Sequence, residues 1–210
     1  MGVLQNDNNQ LDEAQHLYTE ALLIRQELAK SNPGASLQYD ADILNCLGVL
    51  QMDRRQLDMA EESFTEALSI REQLAKSNSQ LNLPFIADIL NNLGNVYLEK
   101  SHVIKAIECY TKVLQIRQDL AKIDPDLHLQ FVAGVLNNLG ILQRRSGQLY
   151  TSSDSFTQAL GIYRKLAEVD PQVYLPNVAC VLTNLVVLEI AKNDKHKAQK
   201  YLQECVISIR

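Results

Sequence analysis

Leu44, Leu90, Leu136 and Leu182 stand 46 residues apart, and they open four related phrases, LNCLG, LNNLG, LNNLG and LTNLV. The register extends backwards, since Gly2-Val3-Leu4-Gln5 aligns with Gly48-Val49-Leu50-Gln51 and Gly140-Ile141-Leu142-Gln143. A fixed period of about 20 to 50 residues restricts a chain to stacked architectures, because one copy cannot bury its apolar face without its neighbours. About four and a half copies fit into the 210 residues, so the length signifies one array rather than one or two globular domains. The expected divisions are a partial copy at 1–37, copies at 38–83, 84–129 and 130–175, and a partial terminal copy at 176–210.

Each copy is predicted to form two helices. From Pro84, the apolar positions Ile86, Ile89, Leu90, Leu93, Val96 and Tyr97 mark one face of a helix of period 3.6. Pro84 is expected in its first turn, where a missing N–H costs nothing. After the polar turn Glu99-Lys100-Ser101-His102, a second set (Val103, Ala106, Ile107, Tyr110, Val113, Leu114, Ile116, Leu120) predicts a helix of roughly 20 residues. It stops before Asp124-Pro125, because proline disfavours helical geometry in the preceding residue. Asn32-Pro33 and Asp170-Pro171 fall at the same phase, and Asn78-Ser79 replaces them once.

Small and large residues alternate between copies. Ala14, Ala60, Ala106, Ser152 and Ala198 form one small column, with a second at Ala21, Ala67 and Ala159. Tyr18, Phe64, Tyr110 and Phe156 form a large column between them, expected to be core. Gly48, Gly94 and Gly140 cost roughly 1 kcal/mol each in helix propensity, offset by the close approach they permit.

The order Leu47-Gly48, Ala60, Phe64, Ala67 resembles the tetratricopeptide repeat, and Leu93-Gly94, Ala106, Tyr110 and Leu139-Gly140, Phe156, Ala159 follow it. More narrowly, LNNLG followed by ALSIREQLAK or VLQIRQDLAK is similar to the long-helix subtype found in kinesin light chains. The resemblance implies an all-α, right-handed α-solenoid of antiparallel helix pairs. Its period exceeds the roughly 34 residues usual for the family. Glu72 stands where the family has a helix-ending proline, so the second helix should run on; Val186 for glycine and Lys195 for an apolar residue mark a degenerate last copy.

The resemblance also implies a ligand-bearing concave groove lined by the first helices. The family's groove positions fall on Asn92, Asn138, Asn184 and Cys46, on Asn95, Val49, Ile141 and Val187, and on Asn45, Asn91, Asn137 and Thr183. An amide both donates and accepts, so such a ladder suits the backbone of a bound peptide. A second use stands open, in which one asparagine column bonds a neighbouring helix and holds the repeat spacing. Asn91 and Asn137 stand where a chaperone-tail clamp would have lysine, and Asp42 and Asp88 lie a turn earlier, so a basic, neutral or aromatic-containing peptide fits better. Arg144 and Arg145 are the basic residues near that surface. Arg25, Arg71 and Arg117 recur on the second helices, as expected of partners for Asp42 or Asp88.

Other classes find little support. The net charge is −5 and there is no basic block, against a nucleic-acid partner. No H-E-x-x-H, nucleophilic triad or phosphate loop is present, so no enzyme activity, cofactor or metal is expected. Cys46, Cys109, Cys180 and Cys205 form no C-x-x-C, which suggests small apolar fillers in a reducing, cytoplasmic setting. Pro176, Asn177, Thr183 and Asn184 break the uncharged stretch 172–188, so it is expected as a buried helix rather than a membrane span. The expected function is a scaffold holding a protein or peptide partner in the groove; the alternative is a regulatory or self-association module of a larger protein.

Overall fold

A computed structural model describes residues 13, 15–21, 23, 24, 27 and 37–208; Gly2 to Gln5, Ala14, Arg25 and Asn32-Pro33 lie outside the described residues. The described residues are helical or in turns, with no strand among them. Among the described residues from Leu37 onward, eight helices follow in order: α1 (Leu37–Asp53), α2 (Leu57–Ala75), α3 (Ser79–Glu99), α4 (Val103–Ile123), α5 (Pro125–Arg145), α6 (Leu149–Val169), α7 (Pro171–Ala191) and α8 (Lys195–Ser208). This is the all-α array of antiparallel helix pairs expected from the period. The chain divides into two compact units, Met1–Cys109 and Tyr110–Arg210. In the first, α2 packs on both α1 and α3; in the second, α6 packs on α5 and α7, and α8 on α7.

The turn inside each pair is built the same way four times. Arg55, Ser101, Gly147 and Asn193, 46 apart, all have φ between +61° and +77°. The amide after each donates to the carbonyl five residues back: Gln56 to Gln51, His102 to Tyr97, Gln148 to Gln143 and Asp194 to Glu189. A left-handed residue bracketed by such a bond is the Schellman helix ending, which satisfies orphan carbonyls and reverses the chain in three residues.

The turn between pairs works through an N-cap. Asn78, Asp124 and Asp170 accept from the backbone N–H of Leu81, Leu127 and Val173 at 3.2, 3.1 and 3.3 Å, and Pro125 and Pro171 sit just inside the helices. The Asp-Pro pairs therefore open the following helix as well as closing the one before. This corrects the placing of Pro84, which is interior to α3 and not in its first turn. Its absent N–H removes the helical bond to the carbonyl of Gln80, which is an exposed residue. Positions 84, 130 and 176, where copies were expected to begin, lie inside α3, α5 and α7.

The columns pack as expected. Phe64 and Phe156 are fully buried, as are Ala60, Ala67, Ala106 and Ala159, and Tyr110 nearly so; Tyr18 is half-buried. A Cβ on Gly48 would lie 2.7 Å from the Phe64 ring, and one on Gly140 2.6 Å from the Phe156 ring. Ser152 at an alanine position turns its buried hydroxyl onto the Gly140 carbonyl at 2.7 Å. By length and composition α7 could cross a membrane, at a mean hydropathy of 1.7. Its Val178, Val181, Leu182, Leu185 and Leu188 are buried in the core it shares with α6. Cys109 and Cys205 are half-buried, consistent with filler roles, whereas Cys46 and Cys180 are exposed and are not core.

Candidate peptide-binding face

Residues at intervals of three and four share one face of a helix. On α1 that rule strings together Tyr39, Asp42, Cys46, Val49 and Asp53, and on α3 Phe85, Asp88, Asn92, Asn95 and Glu99; all ten are exposed or half-buried. In the second unit the matching stripes are Phe131, Gly134, Asn138, Ile141 and Arg145 on α5, and Asn177, Cys180, Asn184, Val187 and Ala191 on α7, again none of them buried. Of the groove residues inferred from the family pattern, Asp42, Cys46, Asp88, Asn92, Asn95, Asn138 and Asn184 fall on these solvent-accessible stripes, whereas Asn45, Asn91, Asn137, Thr183 and Arg144 stand beside them.

The asparagines do more than face solvent. Asn92 donates through Nδ2 to Oδ1 of Asn45 at 3.1 Å, and Asn184 likewise to Asn137 at 2.9 Å. Each bond ties a first helix to the preceding one, α3 to α1 and α7 to α5. Both columns are therefore structural in part. An amide carries two donor hydrogens and an acceptor oxygen, so these two bonds engage only part of each side chain's hydrogen-bonding capacity. Asn91 and Asn138 are half-buried on α3 and α5.

Arg71 on α2 pairs with Asp42, as the sequence suggested, and also reaches the helix on its other side. It is buried and forms an ion pair with Asp42 of α1, whose side chain remains 50% exposed. Its Nη1 donates to Asn82 of α3 at 3.3 Å, and its guanidinium lies 4.0 Å from the centre of the Phe85 ring. Arg117 covers Phe131 in the same way at 4.4 Å. The next copy has Tyr163 in the arginine column and Gly134 in the column of Asp42, and a Cβ on Gly134 would lie 3.5 Å from the Tyr163 hydroxyl. Burial raises the Tyr163 pKa, though a hydrogen bond with Asn177, the counterpart of Phe85, acts against the shift. A tyrosine–glycine pair thus replaces an arginine–aspartate pair.

Three further features went unrecognised in the sequence. Buried Ser63 donates to Gln51 at 2.8 Å, and Ser155 to Gln143 at 2.8 Å, joining the two helices of a pair. The signal is a Gln and a Ser 12 apart, seen twice at the same register. Second, Tyr39, Phe85 and Phe131 are 46 apart yet exposed, with Leu81, Leu127 and Val173 exposed beside their helix starts. Third, Lys100 at the end of α3 lies 2.6 Å from the carboxylates of Asp58 and Glu61 on α2. Its hydrogen bond and charge hold the Asp58 carboxyl below its ordinary pKa. Burial alone would raise Glu61, but hydrogen bonds from Lys100 and Tyr97 and the lysine charges prevail and lower it. Burial, then the bond to Glu61, pushes the Tyr97 hydroxyl up to about 12.

At the C-terminal ends of α1 and α3 a cleft of about 340 Å³ is lined by Met52, Asp53, Arg55, Asn95, Leu98 and Glu99. Arg55 pairs with Glu99 at its rim. Arg144, at the corresponding end of α5, is half-buried, and its Nε makes no hydrogen bond. Among the described residues no group of His, Cys, Asp and Glu is arranged to hold a metal ion. The chemistry on these faces is that of hydrogen bonding, charge and apolar contact.

Residues 41–80 and 87–120 each match a model of the tetratricopeptide repeat. No curated protein matches the chain. Among solved structures it is similar to BtubC (BKLC) from P. vanneervenii, with a TM-score of 0.70 at 20% identity, over 94% of this chain and 73% of that one. It is also similar to the nearly identical TPR-like repeats of a Podosopora anserina protein described as a kinesin light chain, with a TM-score of 0.72 at 16% identity, over 96% and 88%. The apo form of RapI matches with a TM-score of 0.75 at 15% identity, over 99% of this chain and 51% of RapI. At these identities the likeness is one of fold.

Proposed function

We propose that this chain, a tetratricopeptide repeat protein resembling the kinesin light chain type, holds extended segments of a partner protein on the exposed stripes of the first helices within each unit. A protein-interaction scaffold is the role of such repeats; the stripes and the peptide are our reading. The observation that carries it is one of contrast. Columns that repeat at 46 residues are mostly buried in helix packing, while the stripes on α1, α3, α5 and α7 repeat as well and remain accessible.

The mechanism is binding. After the Asn45–Asn92 and Asn137–Asn184 bonds, the remaining amide donors and acceptors can meet the backbone of an extended peptide, each bond contributing about 1 kcal/mol net. Affinity then has to be gathered from several such bonds together with side-chain contacts. A cytoplasmic setting goes with this reading, since free cysteines persist in reducing surroundings.

The test is partner capture with the purified chain, run beside a stripe variant, Cys46→Arg/Cys180→Arg, and an outer-face control, Thr157→Arg, all three positions being exposed. Partners lost with the stripe variant and retained by the control, at equal melting temperature, support the reading. Equal retention by both variants refutes it. A second reading, self-association, is favoured by one feature: Leu202 and Val206 on α8 are exposed, at the register where Phe156 and Leu160 are buried. A mass that rises with concentration in light scattering would move the weight to that face.

A further inference from the structure

The reading above leaves the chemistry of the partner open, and the first unit narrows it. We infer that the segment bound by residues of the Met1–Cys109 unit is basic, with lysine or arginine set beside an apolar anchor side chain. This inference rests on the stripe reading and adds the partner class.

The charge on the first helices of that unit has one sign. Helix α1 carries Asp40, Asp42 and Asp53, α3 carries Asp88 and Glu99, and neither contains a lysine or arginine. Four of the five fall on the stripes, in matching registers: Asp42 with Asp88, and Asp53 with Glu99. Arg71 and Arg55, from outside these helices, answer Asp42 and Glu99. These arginines neutralise the carboxylates they pair with, and Asp88 also interacts within the protein, yet the two helices carry five acidic and no basic residues. Arg71 is buried beneath the face, and Asp42 remains half exposed above. Carboxylates on a shared face attract cationic ligands and repel anionic ones over a Debye length, about 8 Å at physiological salt.

The same stripes supply the apolar part. Tyr39 and Phe85 are 53% and 41% exposed, with Leu81 exposed a turn before Phe85. The Arg71 guanidinium lies against one face of the Phe85 ring, a cation–π contact that favours this ring position as a ledge for an apolar side chain. Asp42 follows Tyr39, and Asp88 follows Phe85, by three residues, one turn further along each helix. An anchor on the ledge would therefore place an adjacent cation at the carboxylates. At the far end, the cleft lined by Asp53, Asn95 and Glu99 with Arg55 on Glu99, about 340 Å³, lies at the small end of ligand-pocket sizes, and Asp53 is its exposed carboxylate outside that pair. Phe85 and Glu99 are about 20 Å apart along the helix axis, the reach of about six extended residues.

The second unit lacks this pattern. Its stripes have Gly134 and Cys180 in the registers of Asp42 and Asp88, and Arg145 and Ala191 in those of Asp53 and Glu99. The basic preference is thus a property of the first unit's stripes and not of the repeat in general.

The test is selection from a random peptide display library on the full-length chain and on Asp53→Lys/Asp88→Lys, with folding checked by circular dichroism. Both positions are exposed. Peptides enriched on the parent should carry lysine or arginine next to an apolar residue, and the ratio of basic to acidic residues should fall at least tenfold on the variant. Enrichment of acidic peptides, a preference unchanged by the charge reversal, or no enrichment would each overturn the inference. Acidic peptides that compete at the stripes and are lost with Cys46→Arg would overturn it while leaving the stripe reading intact. Partner capture indifferent to Cys46→Arg/Cys180→Arg would remove both.

Discussion

Gly140→Ala offers the sharpest check on how the helices of a pair meet. In an exposed helix interior this substitution stabilises by roughly 1 kcal/mol, through propensity alone. Here the new methyl would lie 2.6, 2.7 and 2.9 Å from three carbons of the Phe156 ring, which is fully buried and has no free space to retreat into. Overpacking of this kind costs about 1–3 kcal/mol. With three contacts well inside van der Waals distance the cost should lie in the upper part of that range and outweigh the propensity gain, leaving a net loss of up to about 2 kcal/mol. For a chain of this size that is a fall in melting temperature of roughly 2–4 °C per kcal/mol. Gly161→Ala on α6 is the control, since nothing lies within 4 Å of its added methyl, and it should raise the melting temperature. The chain itself suggests a rescue. One copy later Val186 and Leu202 occupy the two positions. In a Phe156→Leu background, Gly140→Ala should therefore cost at least about 1 kcal/mol less than in the parent, a coupling that a double-mutant cycle measures. Equal and positive melting shifts for Gly140→Ala and Gly161→Ala, or strict additivity in the cycle, would refute the close-approach argument.

Four other outcomes are expected. Asn92→Ala and Asn184→Ala should each lower the urea-unfolding free energy by about 0.5–1.5 kcal/mol, with Asn45→Ala/Asn92→Ala less than the sum of its singles; no change would mean the amide bonds contribute nothing. Gly147→Ala, at φ +77°, should destabilise by about 1–2 kcal/mol, whereas Arg55→Gly should stabilise modestly, since the exposed Glu99 pair it gives up contributes little. The Asp58 and Glu61 carboxyls titrate below their ordinary values of 3.8 and 4.5, so their stabilisation is present above those values and lost as pH falls through the lowered ones. Lys100→Met should flatten that acid limb in urea midpoints measured from pH 6 down. Tyr97 has the opposite sign: its stabilisation is present below pH 10 and lost as pH rises towards about 12, visible by ultraviolet titration of the phenol.

Packing was the most legible part of the molecule, because contacts between copies repeat with the period. The Gly48–Phe64 approach, the alanine columns and the Arg71–Asp42 pair all follow from residues standing 46 apart. The helix starts were less legible, since Pro84 offers a strong first-turn signal while the operative one is the cap at Asn78, a residue equally at home in a loop. The Schellman turns were hidden for a similar reason. Gly147 and Asn193 suit a left-handed residue, but Arg55 and Ser101 do not advertise one, and only the four together reveal the position. The Gln51–Ser63 bond involves two columns at once, so neither column shows it alone. On the candidate face, asparagine chemistry indicated hydrogen bonding without saying to what, and the Asn45–Asn92 bond shows part of that capacity spent within the chain.

Charge on the candidate face is coupled to what lies beneath it. A buried guanidinium needs a carboxylate, because an isolated buried charge is costly, so Arg71 requires Asp42, and that aspartate also appears on the accessible stripe. Where Tyr163 replaces the arginine, the need disappears, and Gly134 stands in the acidic register with the phenol close by. The two residues therefore form an exchangeable cassette. Transplanting it, Arg71→Tyr/Asp42→Gly should be tolerated better than Asp42→Gly alone, which leaves a buried cation without its partner. Breaking a fully buried pair costs about 3–5 kcal/mol. Asp42 is half exposed, so about 1–3 kcal/mol is expected for the single change and distinctly less for the pair, by urea unfolding. If the double variant instead lost at least as much as the single, the acidity of the stripe would be independent of the core beneath it. If the cassette holds, each copy can set the charge of its own register, and the change from Asp42 to Gly134 on the accessible stripes becomes a consequence of which residue occupies the arginine column.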